Sequence, residues 1–232
     1  MDRMLVVFKW LLVILVPIAL VGLGVRLLLT PQYLKLEYGL PNFPADEYGF
    51  SMEERVHWGA YGINYLLIDA PLSYLGDLKF SSGQALFTER ELDHMQDVKR
   101  VVGYVLRIWY LATAIMAGLG FWALRAGWLS TFRQALRLGG WLTLGIAGTT
   151  GVIGTLGASG SGQLFWQFFS SFHGLFFSGD SWLFDYSDTL IRLYPLRFWQ
   201  DSILYIGALA ALGASALAFG LRRHPDKGPT RP

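Results

Sequence analysis

Apolar and polar positions separate along this chain into long blocks. Four blocks are almost wholly apolar, covering about 4–29, 101–124, 138–156 and 203–221. Each approaches or exceeds the ~20 residues that carry an α-helix across a bilayer. The pattern predicts an all-α membrane protein, a four-helix transmembrane bundle. The first block has basic residues ahead of it, as a secretory signal does. Its apolar run is too long for one, and no small-residue cleavage site follows Leu27-Leu-Leu29, so it reads as an uncleaved first helix.

The polar blocks predict the rest. Residues 31–100 are too many for a plain connector and predict a small extracytoplasmic cap between spans 1 and 2. Pro31, Pro41, Pro44 and Pro71 punctuate it, and Asp46–Ser51 reads as a turn. Ser51-Met-Glu-Glu54 has the capping-box pattern and opens a helix carrying Arg55, His57 and Trp58, which the apolar run Ile63–Ile68 can extend. Thr88-Glu-Arg-Glu91 is a second capping box, with no breaker between it and Arg125. A helix that long exceeds the membrane, so its first three turns stand above it. The glycines of the third span, Gly145, Gly148, Gly151, Gly154 and Gly157, are read as sites of close helix packing. Ala158–Gly162 breaks the chain, and an outer aromatic segment occupies 158–200. Its Phe165–Phe177 stretch predicts a helix at the interface lining a wet pocket. Residues 222–232 form a polar tail.

Composition agrees with a membrane setting. Of 232 residues, 53% are hydrophobic and 16% charged, against ~25% charged in a soluble domain. Mean hydropathy is +0.38. With no cysteine, disulfides, thiol catalysis and zinc–thiolate sites are excluded. Charge placement sets the expected orientation. The 125–137 loop carries Arg125, Arg133 and Arg137 and no acid, and the tail is also basic. The cap segment has six basic residues against eleven acidic ones. The positive-inside rule therefore predicts cytoplasmic termini and an outward cap.

Two histidines then stand out, His94 and His173, both on the predicted outer side and at similar depth. An imidazole beside lipid is costly to keep and moves protons near neutral pH, which favours chemistry over packing. His94 shares a helical face with Val98, Val101, Val105, Ile108 and Ala112, so it faces the bundle, with Asp97 close enough to hydrogen-bond or orient the ring or a neighbour. His57 reads as surface, His224 as tail. Arg107 is the one charge well inside a span and reads equally as snorkelling to the outer headgroups or as binding substrate, while Arg26, near the outer end of span 1, reads as snorkelling. No nucleophile elbow, metalloprotease helix or phosphate loop is present. Two histidines without a protein nucleophile suggest acid–base catalysis on a substrate that brings its own nucleophile. A metal site built from His94, Asp97 and His173, as in a metal-dependent lipid hydrolase, is the rival chemistry. Bis-histidine haem ligation is weaker. A non-enzymatic membrane subunit or chaperone is the rival class.

Two motifs carry a resemblance. One is Phe87–Lys99, with its His-Met-x-Asp-Val-Lys core. The other is Phe172-His173 followed by Trp182, Asp188-x-Leu-Ile191 and Pro195. Together with Tyr48–Arg55 and Tyr65-Leu-Leu67 they resemble the lipoprotein intramolecular transacylase (Lit) family of bacterial integral membrane proteins. The resemblance implies transfer of the sn-2 acyl chain of a diacylglyceryl-modified lipoprotein to the α-amine of its N-terminal cysteine, leaving a lyso-form lipoprotein. It implies His94 and His173 as catalytic residues. Asp97, Lys99, Arg55, Trp182 and Asp188 are then the orienting or substrate-binding residues, without metal or cofactor. The expected partners are lipoproteins and membrane lipid, not nucleic acid. The expected state is a monomer in the bacterial cytoplasmic membrane.

Overall fold

The computed structural model describes residues 2–158, 163–177 and 179–221. Among these the regular structure is helical, apart from one isolated antiparallel bridge between Lys79 and Ala85. Helices α1 (Asp2–Leu28), α5 (Glu89–Ala126) and α9 (Leu196–Gly220) are long and apolar enough to cross a membrane. Helix α6 (Leu129–Ala158), with 30 residues, packs between α1 and α9. It begins nine residues ahead of the apolar block at 138, and α9 begins seven ahead of the block at 203. Hydropathy alone misses these leading turns because Arg133, Arg137, Arg197 and Asp201 dilute them.

Small residues set how closely the long helices approach. A Cβ at Gly139 would fall 2.5 Å from Val16 of α1, and one at Gly140 would fall 2.8 Å from the Ala214 carbonyl of α9. Gly22 receives the ring of Trp109, whose indole N–H donates to the Ala19 carbonyl (3.1 Å). Among the described residues, a Cβ at Gly145 or Gly148 would touch nothing within 4 Å, so no described neighbour packs closely on these two of the glycines expected to pack. Gly151, Gly154 and Gly157 carry no side-chain description, and the break at 159–162 and the tail 222–232 lie outside the described residues. Helices α5 and α6 meet near their connection, around Leu12, Val13, Ala123, Trp128 and Ala135. Further along, Ile108 and Leu111 of α5 are exposed.

The segment between α1 and α5 folds into α2 (Pro31–Tyr38), α3 (Met52–Leu67) and α4 (Ser73–Gly76), then a short hairpin around the Lys79–Ala85 bridge. Both capping boxes form: Ser51 and Glu54 exchange hydrogen bonds with each other's backbone, as do Thr88 and Glu91. Each satisfies helix-terminal N–H groups that would otherwise lack partners. A core of Tyr33, Leu34, Tyr38, Ile63, Tyr65, Leu75, Leu86 and Phe87 joins this region to Leu190, Leu193, Tyr194 and Phe198 from α8 (Thr189–Leu193) and the start of α9. Buried hydrogen bonds tie the same parts. Tyr194 Oη donates to the Gly59 carbonyl (2.6 Å) and Thr189 Oγ1 to the Leu86 carbonyl (2.6 Å). Arg192 grips both oxygens of Asp46, the closest contact being 2.9 Å. Helix α7 (Gln163–Phe176), the aromatic segment, contacts the far end of α6.

Candidate active site

His94 stands on the second turn of α5, and the Thr88–Glu91 box fixes where that helix begins. His173 stands on the last turn of α7. The two rings face each other with centroids 6.4 Å apart and planes 21° from parallel. Aromatic rings enclose the pair. His94 lies against Phe177 (4.9 Å) and Phe184 (5.3 Å). His173 lies against Phe169 (4.0 Å) and Trp182 (4.7 Å). Arg90 covers the outer side of Phe184, with its guanidinium 5.3 Å from that ring and donating to the Asp180 carbonyl (2.7 Å).

The hydrogen bonds assign the nitrogens. His173 Nδ1 lies 2.7 Å from the Phe169 carbonyl. A carbonyl only accepts, so Nδ1 carries the proton and Nε2 keeps its lone pair. Burial pushes the His173 imidazole below its ordinary value, against the Phe169 hydrogen bond, so the ring is neutral at neutral pH. His94 Nδ1 is buried and has no hydrogen-bond partner. An unsatisfied buried nitrogen costs ~1–3 kcal/mol, a strain that a substrate can relieve. A facing pair with one basic nitrogen and one unpaired nitrogen can accept a proton from one reacting group and hold another.

Residues 10–199 match the family model described as "Lipoprotein intramolecular transacylase Lit", covering both histidines and their aromatic enclosure. The chain belongs to the Lit family. An uncharacterized protein of Aquifex aeolicus (strain VF5) is 32% identical over 205 residues, 87% of each chain. The fold matches the in meso structure of the membrane integral lipoprotein intramolecular transacylase Lit from Bacillus cereus. That match has a TM-score of 0.70, covers 94% of each chain and has 18% identity.

The remaining residues that the sequence singles out divide around this pair. Trp182 packs directly on His173. The hydrogen bond expected between Asp97 and His94 is absent. Arg100, one turn on, takes the Asp97 carboxylate at 2.7 Å, at an exposed position. Arg55, expected at the entrance, is buried in the outer region. It donates to the Pro44 carbonyl (2.8 Å) and lies over Tyr38 and Phe43. Lys99 donates to the Ala70 carbonyl (2.8 Å) above the Tyr65 ring. Asp188 accepts from the Asp185 backbone N–H (2.9 Å) and starts α8. Three of the five thus hold the outer region together or brace its surface. Sequence reasoning passed over Phe177, Phe184 and Phe169, because an aromatic ring in an apolar run carries no chemical signal. It also took Glu91 only as a cap, although its Oε1 accepts from the Leu190 N–H (2.7 Å) as well. Among the described residues no three His, Asp or Glu side chains converge as metal ligands.

Proposed function

We propose that this protein moves the sn-2 acyl chain of a diacylglyceryl-modified lipoprotein onto the α-amine of its N-terminal cysteine, using His94 and His173. The observation that carries this reading is the facing pair, one member with a free basic nitrogen, in a chain of this family. The α-amine has an ordinary pKa of ~7.7–8.0, so a neutral imidazole is a competent base for it. The ammonium proton is lost to solvent before the amine binds; the neutral nitrogen then attacks the ester carbonyl carbon and a C–N bond forms. The proton that nitrogen sheds passes to His173 Nε2, while His94 donates a hydrogen bond to the developing oxyanion. As the glyceryl C–O bond breaks, the leaving oxygen takes a proton from the His173 imidazolium. Amide and free hydroxyl result, and both histidines return to their starting state. Amine and ester belong to one molecule, so near-attack positioning supplies much of the rate, ~7–11 kcal/mol in favourable cases. The aromatic enclosure keeps out water that would hydrolyse the ester.

In this reading α6 is the fourth span, and the region between α1 and α5 is an extracytoplasmic cap. Both termini are cytoplasmic, and the histidines sit at the outer face of a bacterial cell membrane, where a monomer suffices. Arg55 and Lys99 support the site through the cap, Asp188 through the start of α8 and Asp97 through Arg100 on α5, and Trp182 orients His173. The test is purified protein with a synthetic diacylglyceryl lipopeptide in detergent, followed by tandem mass spectrometry. The expected result is unchanged total mass with one acyl group relocated to the cysteine nitrogen. Unaltered lipopeptide together with stable co-purification of another membrane protein would favour the subunit role.

A further inference from the structure

The outer region holds a second concavity, an open groove of about 510 Å³ that neither histidine lines. Its walls are the hairpin residues Ser81, Ser82 and Gln84 on one side, and Ser187 and Asp188 on the other. The volume falls in the ~300–1,000 Å³ range of ligand sites. Its charged floor is already committed. Arg192 is bound to Asp46 and stacks 3.7 Å over Phe50, while Glu54 and Glu91 are consumed by the two capping boxes. What remains free along the walls is hydroxyl, amide and backbone, which suits an extended polar peptide held by main-chain hydrogen bonds.

Two elements run from the histidine pair into this groove. Glu91, which lines it, precedes His94 on α5 by less than one turn, ~4.5 Å of helix rise. The segment that places Phe184 against His94 reaches Ser187 and Asp188 within four residues, through a turn closed by the Asp188 N–H on the Asp185 carbonyl (3.0 Å). An amine held at the pair belongs to the first residue of a polypeptide, and that polypeptide must leave the site away from the acyl chains. We infer that the groove is the subsite for the residues that follow the acylated cysteine, a proposal that rests on the transacylase reading above. A groove of about 510 Å³ holds a few of them rather than the whole polypeptide. It favours neutral or basic residues, because Glu54, Glu91 and Asp188 outnumber Arg192 along it.

The test uses the full-length protein and a series of diacylglyceryl-cysteine substrates bearing no further residue, then two, four or six serines. We expect kcat/KM to rise about tenfold or more up to four residues and then level off, mostly through KM. Two aspartates in place of serines at the second and third positions should remove that gain. In Gln84→Trp, which fills the groove, the dependence on length should vanish. A photo-reactive residue at the third position should label the 80–86 hairpin or 187–189 of the wild-type protein, which needs no variant to fold. Equal kcat/KM for all lengths, or labelling confined to other parts of the chain, overturns the groove assignment. If no substrate is converted at all, the transacylase reading fails, and the photo-label alone still decides whether the groove takes peptide.

Discussion

At the scale of residues, the pair divides its work by environment. Replacing either histidine by alanine is expected to lower conversion by about 10²–10⁴-fold, the range for a positioned acid–base group. Near-wild-type conversion by one variant would remove that histidine from the mechanism. Burial holds the His173 imidazole below 6.5, so the base form persists as pH falls past that value. We expect kcat, measured with bound substrate, to hold down to pH 6.5 and decline only below it. A kcat already halved at pH 6.5 would show that burial does not act on the working base. Because Asp97 is committed to Arg100, the pair lacks the third ligand of a metal site. Conversion should therefore survive EDTA, and loss restored by zinc would recast His94 and His173 as ligands. A second titration concerns stability. Glu37, fully buried on α2, is pushed up to about 7 by burial and by the neighbouring Asp201 carboxylate. The folded chain then keeps a proton that the unfolded chain loses from about pH 4.5 upward, so stability falls as pH rises between those values. Tyr33 on α2, with Arg197, Asp201 and Tyr205 on α9, surrounds it. The buried histidines act alike in both chains, so the Tm of wild type relative to that of Glu37→Gln should fall from pH 5 to 8, and a constant difference would remove Glu37 as the cause.

At the scale of elements, what could be read from sequence followed from signals that are local. Ser51–Glu54 and Thr88–Glu91 mark the starts of α3 and α5 to the residue, because a capping box is a contact between neighbours in the chain. His94 and His173 were legible because histidine in an apolar setting needs a reason. The hydrogen bond partners were not. Asp97 is as near to Arg100 as to His94 along the helix, and spacing does not say which wins. Arg55 and Lys99 look like surface cations in sequence, but the carbonyls they serve, of Pro44 and Ala70, come from distant parts of the cap. Glu91 shows the same limit and yields a prediction. It caps α5 and also holds the Leu190 N–H, so it joins the helix carrying His94 to the segment leading from Trp182 and Phe184. Thr88→Ala, which removes only a cap, should cost about 1 kcal/mol. Glu91→Ala strips a buried backbone N–H as well and should cost about 1–3 kcal/mol more. Thermal unfolding of the two variants side by side measures the difference, and equal losses would mean that the Leu190 bond contributes nothing.

At the scale of the whole molecule, α6 packs against α1 and α9, and its glycines differ in how closely the described neighbours approach them. Gly139 and Gly140 sit where α1 and α9 come closest, and an added methyl at Gly140 would press on backbone of Ala214 and Ala218. Among the described residues, a Cβ at Gly145 or Gly148, one and two turns further along α6, would meet nothing within 4 Å. A helix-interior glycine with no packing reason costs roughly 0.5–1 kcal/mol relative to alanine. Gly148→Ala should therefore raise the Tm, while Gly140→Ala should lower it through a contact that backbone cannot relax. Acyl chains laid against the backbone at Gly145 and Gly148 would explain why a stabilising residue is not there. If so, the more stable variant is the poorer enzyme. Gly148→Phe should lower kcat/KM for substrates with long acyl chains more than for short ones, with the peptide and the histidines unchanged. An equal effect on both chain lengths would remove this face of α6 from the acyl path and leave its glycines without a role in turnover.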